Sequence, residues 1–420
     1  LPLRNLPDAF QLHPIQAPSL SEVAEPRNVL LIVVESLREN LIGLSIRGVE
    51  VTPNLNRLAR GGIWAQNHFS QATYSQLADI AIISGIYPYF EIGMHYYEKE
   101  PGWPRPRIYD ILADHGYRSA VISSQNERWG NMMYYLQSES LDTFFHSENA
   151  KELSYISEQD KGFASFSERK GAAGKLRDRF TLSKVQEFVQ ESGEEPFFVY
   201  TNLQNTHFPY SMSPDYEPVF HTPDEIPRDV SFAKLAKEDL SPMYRKYLDS
   251  MRSTDALIGQ LLQALDESGD LHNTMIVVTG DTGQSFGEHG MTGHGGPLYN
   301  EVLRVPLLIA NSGHEAARIT LPTQHADIAP TVTDLLGIQG NWGFQGTSIL
   351  RRTPEDPIFF FTHGPLANQV GLLSNGIKVI RSFDSNQRFF YDLESDPREH
   401  LPGEIMDEES DHGDLARLLD

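Results

Sequence analysis

Residues 28–36 read Asn-Val-Leu-Leu-Ile-Val-Val-Glu-Ser (NVLLIVVES), a β-branched apolar run that stops on a carboxylate and a hydroxyl. A short run that is apolar at nearly every position, not at alternate ones, fits a strand buried on both faces. Two later runs share that form: Phe197–Thr201, and Thr274–Thr279, which leads into Gly280-Asp281. Helical signals lie between them. Thr52-Pro53 opens one that stops at Gly61-Gly62, an N-cap, first-turn proline and trailing glycine in order. Ser75 begins a second, ending at Ser84-Gly85, and Arg107–His115 with Gly116 is a third, followed by strand Ser119–Ser123. Pro242–Asp266 is long and amphipathic. Strands alternating with helices predict an α/β fold, a mainly parallel central sheet sandwiched by helices.

The organisation outside that alternation differs. Residues 1–27 are Pro-rich and weakly periodic, an expected N-terminal arm. Residues 28–350 carry the α/β pattern, with a polar Gly/Ser/Lys-rich surface excursion at 150–180. From 351 to 420 the pattern turns to short strands (Ile358–Phe361, Gly371–Ile380, Arg388–Tyr391), predicting a small antiparallel C-terminal subdomain and a tail.

Composition excludes more than it names. Fifty-seven acidic against 34 basic residues give a formal net charge of −23. That argues against a nucleic-acid partner, whose phosphates reward clustered Lys and Arg, and against docking on anionic lipid by charge alone. With no cysteine, a thiolate nucleophile, a thiolate metal site and a disulfide framework are all ruled out. No run of about 20 apolar residues spans a bilayer. A chain that starts at Leu1 reads as mature or trimmed, so an upstream signal or membrane anchor is compatible with it.

In open α/β sheets, ligands bind beyond the carboxyl ends of the strands. Three such ends carry suggestive residues: Glu35, Asp281 and the segment Asn205-Thr206-His207. Glu35 and Asp281 can share one hard cation, or each can cap a turn. Ser75 opens a helix, where unpaired N–H groups and the dipole favour a negative oxygen. Its hydroxyl is a candidate nucleophile and metal ligand, or a plain N-cap, and Thr73 is a competing hydroxyl. His207 and His294 offer proton transfer or positive charge at a tetrahedral centre.

This set, with its surroundings, resembles the sulfatase-like branch of the alkaline phosphatase superfamily. NVLLIVVES followed by TPNLNRLARGG, the stretch SQLADIAIISGIYP from Ser75, and MIVVTGDTGQSFGEHGMTGHGG before YNEVLRVPLLI carry the resemblance, with ADIAPTVTDLLGI and FFYDLESDPRE. It runs from about residue 28 to 400. Within the superfamily the site motifs are most similar to lipoteichoic acid synthases and phosphoethanolamine transferases. The resemblance implies a single divalent metal (Mn, Zn, Mg or Ca) held by Glu35, Ser75, Asp281 and Thr282. It implies Ser75 as nucleophile, His294 and His207 as catalytic groups, and Trp129, Asn131 and His207 as substrate contacts. It also implies a phospholipid-headgroup or glycan phosphoester as substrate, at the periplasmic or extracellular face of a membrane.

Two departures matter. The stretch Ser75-Gln76-Leu77-Ala78-Asp79 lacks the Arg that formylglycine formation requires in sulfatases. Thr282 stands where the family has His or Asn, and a neutral hydroxyl is a poorer ligand than imidazole for Zn²⁺ or Mn²⁺. That substitution leaves three readings open: a harder cation, a weakly held metal, or an inactive or altered relative. The expectation is a metal-dependent phosphotransferase or phosphodiesterase. Its alternatives are a sulfatase or phosphate/phosphonate ester hydrolase acting on sugars, and a non-catalytic binding or sensing domain. Glu288-His289 and Glu301 with Arg304 match family positions and read as structural.

Overall fold

A computed structural model describes residues 28–88, 105–153, 174–226 and 236–402. The N-terminal arm, residues 154–173 of the polar excursion and the tail after 402 lie outside the described residues. The central sheet uses β1 (Asn28–Val34), β2 (Ile63–Phe69), β3 (Arg118–Ser123), β4 (Thr143–Phe145), β5 (Phe197–Leu203), β6 (Thr274–Gly280), β7 (Arg304–Ala310), β8 (Ala317–Ile319) and β9 (Thr323–Gln324). Their order is β8-β2-β7-β6-β1-β5-β3-β4, with β9 also beside β2. β1 lies parallel to β5 and β6 at the centre. Only β7 runs against the rest, antiparallel to both β6 and β2. The mainly parallel sheet is as expected, and β7 is the strand the sequence pattern did not separate.

The reading of β1 as buried on both faces holds, and alternation explains how. Leu30, Ile32 and Val34 enter one core with the helices Pro53–Gly61 (α1), Asp178–Ser192 (α4) and Leu240–Ser268 (α5). Val29, Leu31 and Val33 enter the other, with Ser75–Ser84 (α2), Ile108–Ala113 (α3) and Ile328–Leu335 (α6). Each such side chain contributes about 1.5–3 kcal/mol of burial, so a polar substitution at any of them is unfavourable on either face. Pairing on both edges then fixes where β1 ends. Glu35 emerges at the carboxyl edge between β5 and β6.

Two local expectations were altered by packing. Thr52 makes no capping bond to α1; its Oγ1 donates to Leu41 O (3.0 Å) instead. Gly62 does not adopt a left-handed cap but is extended, and a Cβ there would meet Ile309 O at 2.3 Å. The glycine is a packing requirement of α1 against β7.

The C-terminal region forms its own antiparallel sheet, Ile358–His363 (β10), Asn368–Ser374 (β11), Ile377–Ser382 (β12) and Gln387–Asp392 (β13), paired in sequence order. The run read as one strand, Gly371–Ile380, is two, turned at Asn375-Gly376 with both residues at positive φ. Asn-Gly is the pair that suits such a hairpin turn. A third core joins this sheet to the main domain through Phe69, Leu298, Leu303 and Phe360.

Candidate active site

The carboxyl edge of β1, β5 and β6 gathers the chemistry. Glu35 is buried, at 1% exposure. Ser36 follows it at φ 59, an unusual conformation for a serine, and Tyr247 Oη donates to its carbonyl at 2.5 Å. That turn points the Ser36 N–H at Asp281 Oδ1 (2.9 Å). Thr282 N donates to the same oxygen at 2.6 Å. The two strand ends are thereby tied together, with the two carboxylates in one pocket. Burial, and next the charge of Glu35, push the Asp281 carboxyl upward.

Ser75 is the first residue of α2, not its cap; Tyr74 occupies that position without a side-chain cap bond. The first helical bonds run from Leu77 N and Ala78 N to Tyr74 O (3.0 Å each), so the positive end of the helix dipole lies at Ser75. Its Oγ donates to Glu35 Oε2 at 3.5 Å. Thr73 is turned away. It bonds to Thr362 Oγ1 (2.8 Å) and Gly296 O (3.0 Å), which removes it as a competing hydroxyl.

His294 Nε2 lies 3.7 Å from Glu35 Oε1. Its Nδ1 meets Gln284 Oε1 at 2.9 Å, and the Gln284 amide is oriented by donating to Tyr210 Oη at 2.7 Å. With the amide so placed, Nδ1 carries the proton and Nε2 the lone pair. His207 repeats the arrangement, its Nδ1 on Phe208 O at 2.6 Å. Burial lowers both imidazoles, with Lys175 adding to it at His207 and Asp281 opposing it at His294, so both favour the neutral form. Their rings sit edge to face, centroids 5.8 Å apart. One ligand atom from each of Glu35, His207 and His294 lies within 4.8 Å of the others.

The site's fit to a cation is visible in what lacks a partner. Asp281 Oδ2 and Thr282 Oγ1 are buried and make no hydrogen bond among the described residues. Leaving a buried acceptor and a buried hydroxyl unsatisfied costs about 1–3 kcal/mol each, which a bound cation would offset. The oxygen donors suit a hard divalent ion, and the imidazoles suit a softer one.

Trp129 and Asn131 occupy the turn after β3, where Trp129 N donates to Asn126 O (2.9 Å) and Asn131 has φ 59. Neighbouring Arg128 pairs with Glu148 at 2.5 Å. Of the pair read as structural, Glu288 pairs with Arg38 (2.8 Å) and His289 with Glu301 (2.8 Å). Arg304 bonds Asn67 Oδ1 at 2.8 Å.

Sequence reading missed Gln204 and Gln284. Gln204 follows β5 directly and donates to Glu35 Oε2 at 2.9 Å. Both sit within four residues of a strand's carboxyl end, so the rule that found Glu35 extends to them. It also missed Asp79 and Glu127. Asp79, one turn after Ser75, is buried and accepts from Tyr200 Oη at 3.0 Å. Glu127 accepts from Ser123 Oγ, and burial raises it to about 7. A carboxyl whose folded pKa is raised stabilises the fold less as pH climbs from its ordinary value. Stability is therefore expected to fall through the window from 4.5 to about 7 by this group, and Glu127→Gln should flatten that part of the profile. Urea midpoints measured across that range check it.

Comparison with known proteins places the chain. It matches the sulfatase family model over residues 27–338 and belongs to that family. It is 31% identical over 175 residues to the N-acetylglucosamine-6-O-sulfatase of Bacteroides thetaiotaomicron, covering 37% of this chain and 31% of that protein. Lipoteichoic acid synthase 2 of Bacillus subtilis is 23% identical over 353 residues, 80% of this chain and 49% of that protein. The match thus spans about half or less of these relatives. A crystal structure of an alkaline phosphatase superfamily protein from Vibrio parahaemolyticus superposes with a TM-score of 0.69 at 18% identity, covering 92% of this chain and 84% of that one. The fold is that of the superfamily.

Proposed function

We propose that this chain transfers a phosphoryl-type group from a phosphodiester through a covalent Ser75 intermediate, to an alcohol or to water. The observation that carries the reading is Ser75 Oγ on Glu35 Oε2 at a helix N-terminus, beside Asp281. Glu35, Ser75, Asp281 and Thr282 would hold a divalent cation, with His207 and His294 within reach of Glu35. Such an ion would supply Lewis acidity, making the Ser75 hydroxyl more acidic and drawing charge from the phosphoryl oxygens.

The chain's own groups then divide the work. Ser75 Oγ forms the bond to phosphorus as the bond to the leaving alcohol breaks. The proton lost from Ser75 passes to the Glu35–His294 pair, and His294 or His207 returns it to the leaving oxygen. In the second half, an incoming alcohol or water gives its proton to the same imidazoles and takes the phosphoryl group, restoring Ser75. The α2 dipole favours the anionic group throughout. Trp129, Asn131 and His207 are assigned to substrate contact, with a phospholipid headgroup or glycan phosphoester as substrate class and a membrane's outer face as location. Among the described residues no helix is long and apolar enough to cross a membrane.

A second reading, hydrolysis of a sulfate or phosphate ester on a sugar, is favoured by the similarity to a glucosamine sulfatase. Mass spectrometry of the peptide holding residue 75 separates the two. A 4-nitrophenylphosphoseryl adduct, trapped by quenching turnover of bis(4-nitrophenyl) phosphate, supports the first, and formylglycine in the resting protein supports the second.

The Thr282 hydroxyl gives a test with opposite signs. In chelator, Thr282→Val removes a buried unsatisfied oxygen at constant shape and should leave the protein as stable or up to about 1 kcal/mol more so. In Mn²⁺ or Ca²⁺ the same variant should gain less stabilisation from the ion than the parent. Thermal shifts with and without metal report both, and an unaltered metal response removes Thr282 from the ligand set.

A further inference from the structure

We propose that the C-terminal sheet is part of the catalytic apparatus, and that Thr362 on β10 is a positioning residue that sets Ser75 against His294. The proposal rests on Ser75 being the nucleophile, as above. Three chain segments meet at one buried point. Thr73 Oγ1 lies 2.8 Å from Thr362 Oγ1, and the two hydroxyls lie 3.0 and 3.3 Å from Gly296 O. Thr73 and Thr362 are both buried, at 0% and 3% exposure. Two protons serve two acceptors: one hydroxyl donates to the other, which donates to the carbonyl. Removing the Thr362 hydroxyl leaves Thr73 on Gly296 O but cuts the side-chain tie that β10 makes to both loops.

The segments so joined are the ones that carry the chemistry. Thr73 is two residues before Ser75, and Gly296 is two after His294. β10 adds a backbone clamp on the first of them, with Phe361 N donating to Gln71 O at 2.8 Å and Ala72 bridged parallel to Phe361. Tyr74, between Thr73 and Ser75, fills the gap between two glycines. A Cβ on Gly295 would lie 2.5 Å from its ring, and one on Gly364 would lie 2.2 Å from its hydroxyl. The nucleophile loop is thus packed between the His294 loop and the hairpin after β10. β11 holds the His294 loop from the other side, Gln369 Oε1 accepting from Leu298 N at 3.0 Å. Ser75 and His294 make no described hydrogen bond to each other. They meet through Glu35, so their separation depends on what fixes the two loops. A displacement of about 1 Å between reacting groups costs on the order of 10²-fold in rate.

The test compares Thr362→Val, which keeps shape and loses the hydroxyl, with Thr362→Ser, which keeps the hydroxyl. With bis(4-nitrophenyl) phosphate, Thr362→Val is expected to lower kcat about 10- to 100-fold with KM within twofold, and Thr362→Ser to restore most of it. Hydrogen exchange of the same variants reads the geometry without turnover. In Thr362→Val the amides around Ser75 and those around His294 should both exchange faster, and in Thr362→Ser neither should. Unchanged exchange in both loops, or a kcat equal to the parent's, overturns the proposal. Ser75→Ala run alongside keeps the two ideas apart: if it stays active the nucleophile is wrong, whereas an inactive Ser75→Ala with a fully active Thr362→Val rejects only the positioning role.

Discussion

Ser75→Ala is expected to lower phosphodiester turnover by about 10⁴-fold or more, with no covalent adduct at residue 75 and little change in stability. The size follows from what is lost. The alanine keeps the α2 dipole, the Glu35–Asp281 pair and both imidazoles, but has no oxygen to form the intermediate. The nearby hydroxyls are placed elsewhere: Ser36 Oγ is engaged with Glu35 Oε1 (3.2 Å) and Gln284 Oε1 (3.3 Å), away from the start of α2. Thr73 is committed to Thr362 and Gly296 O, and Thr282 lies with Asp281 on the other strand end. Stability should move by less than about 1 kcal/mol, because Ser75 is only partly buried and its bond to Glu35 is long, at 3.5 Å. Rate, adduct and urea midpoint measured on one preparation give the answer, and retained turnover removes Ser75 from the mechanism.

Glu399→Ala should be the most destabilising single change proposed, at about 3–5 kcal/mol. Lys378 and Glu399 form an ion pair of 2.6 Å with both side chains at 0% exposure. Lys378 Nζ also donates to Asn300 Oδ1 (3.1 Å) and lies over the Phe360 ring. Glu399 Oε2 accepts from Asn300 N at 2.7 Å, and its carbonyl meets His289 Nε2 at 3.0 Å. Burial lowers the lysine, with Glu399 opposing that effect. Deleting the carboxylate leaves an ammonium buried without its counter-charge, and frees the segment that pins the 289–301 loop. The double replacement Lys378→Met with Glu399→Leu should cost less than either single change, since it removes both charges at similar volume. Equal or additive losses in a urea double-mutant cycle would argue that the pair is not coupled.

Legibility in the sequence followed the range of the interactions. Glu35 and Asp281 were readable as site candidates because each ends a short apolar run, and the strand period alone places such residues at the sheet's carboxyl edge. Ser75 was readable because it opens a helix. Gln204 and Gln284 were missed, since glutamine carries no chemical signal and its role here depends on the atom it faces. The neutral state of His207 and His294 was not readable either. It arises from burial, while the acceptors at their Nδ1 atoms, Phe208 O and Gln284 Oε1, fix the tautomer.

The sequence by itself therefore determined the α/β alternation, the two-faced burial of β1, the small C-terminal sheet and the carboxylates at the ends of β1 and β6. Those features depend on residue type at spacings of a few positions, where backbone geometry dictates direction. Only the tertiary structure decided that Ser75 faces Glu35 and Thr73 does not, and that β10 reaches the nucleophile loop. It also decided that Asp281 and Thr282 each keep a buried oxygen without a hydrogen-bond partner. These are contacts between residues 40 to 289 positions apart in the chain, set by how loops pack across the sheet edge. No local period encodes that packing.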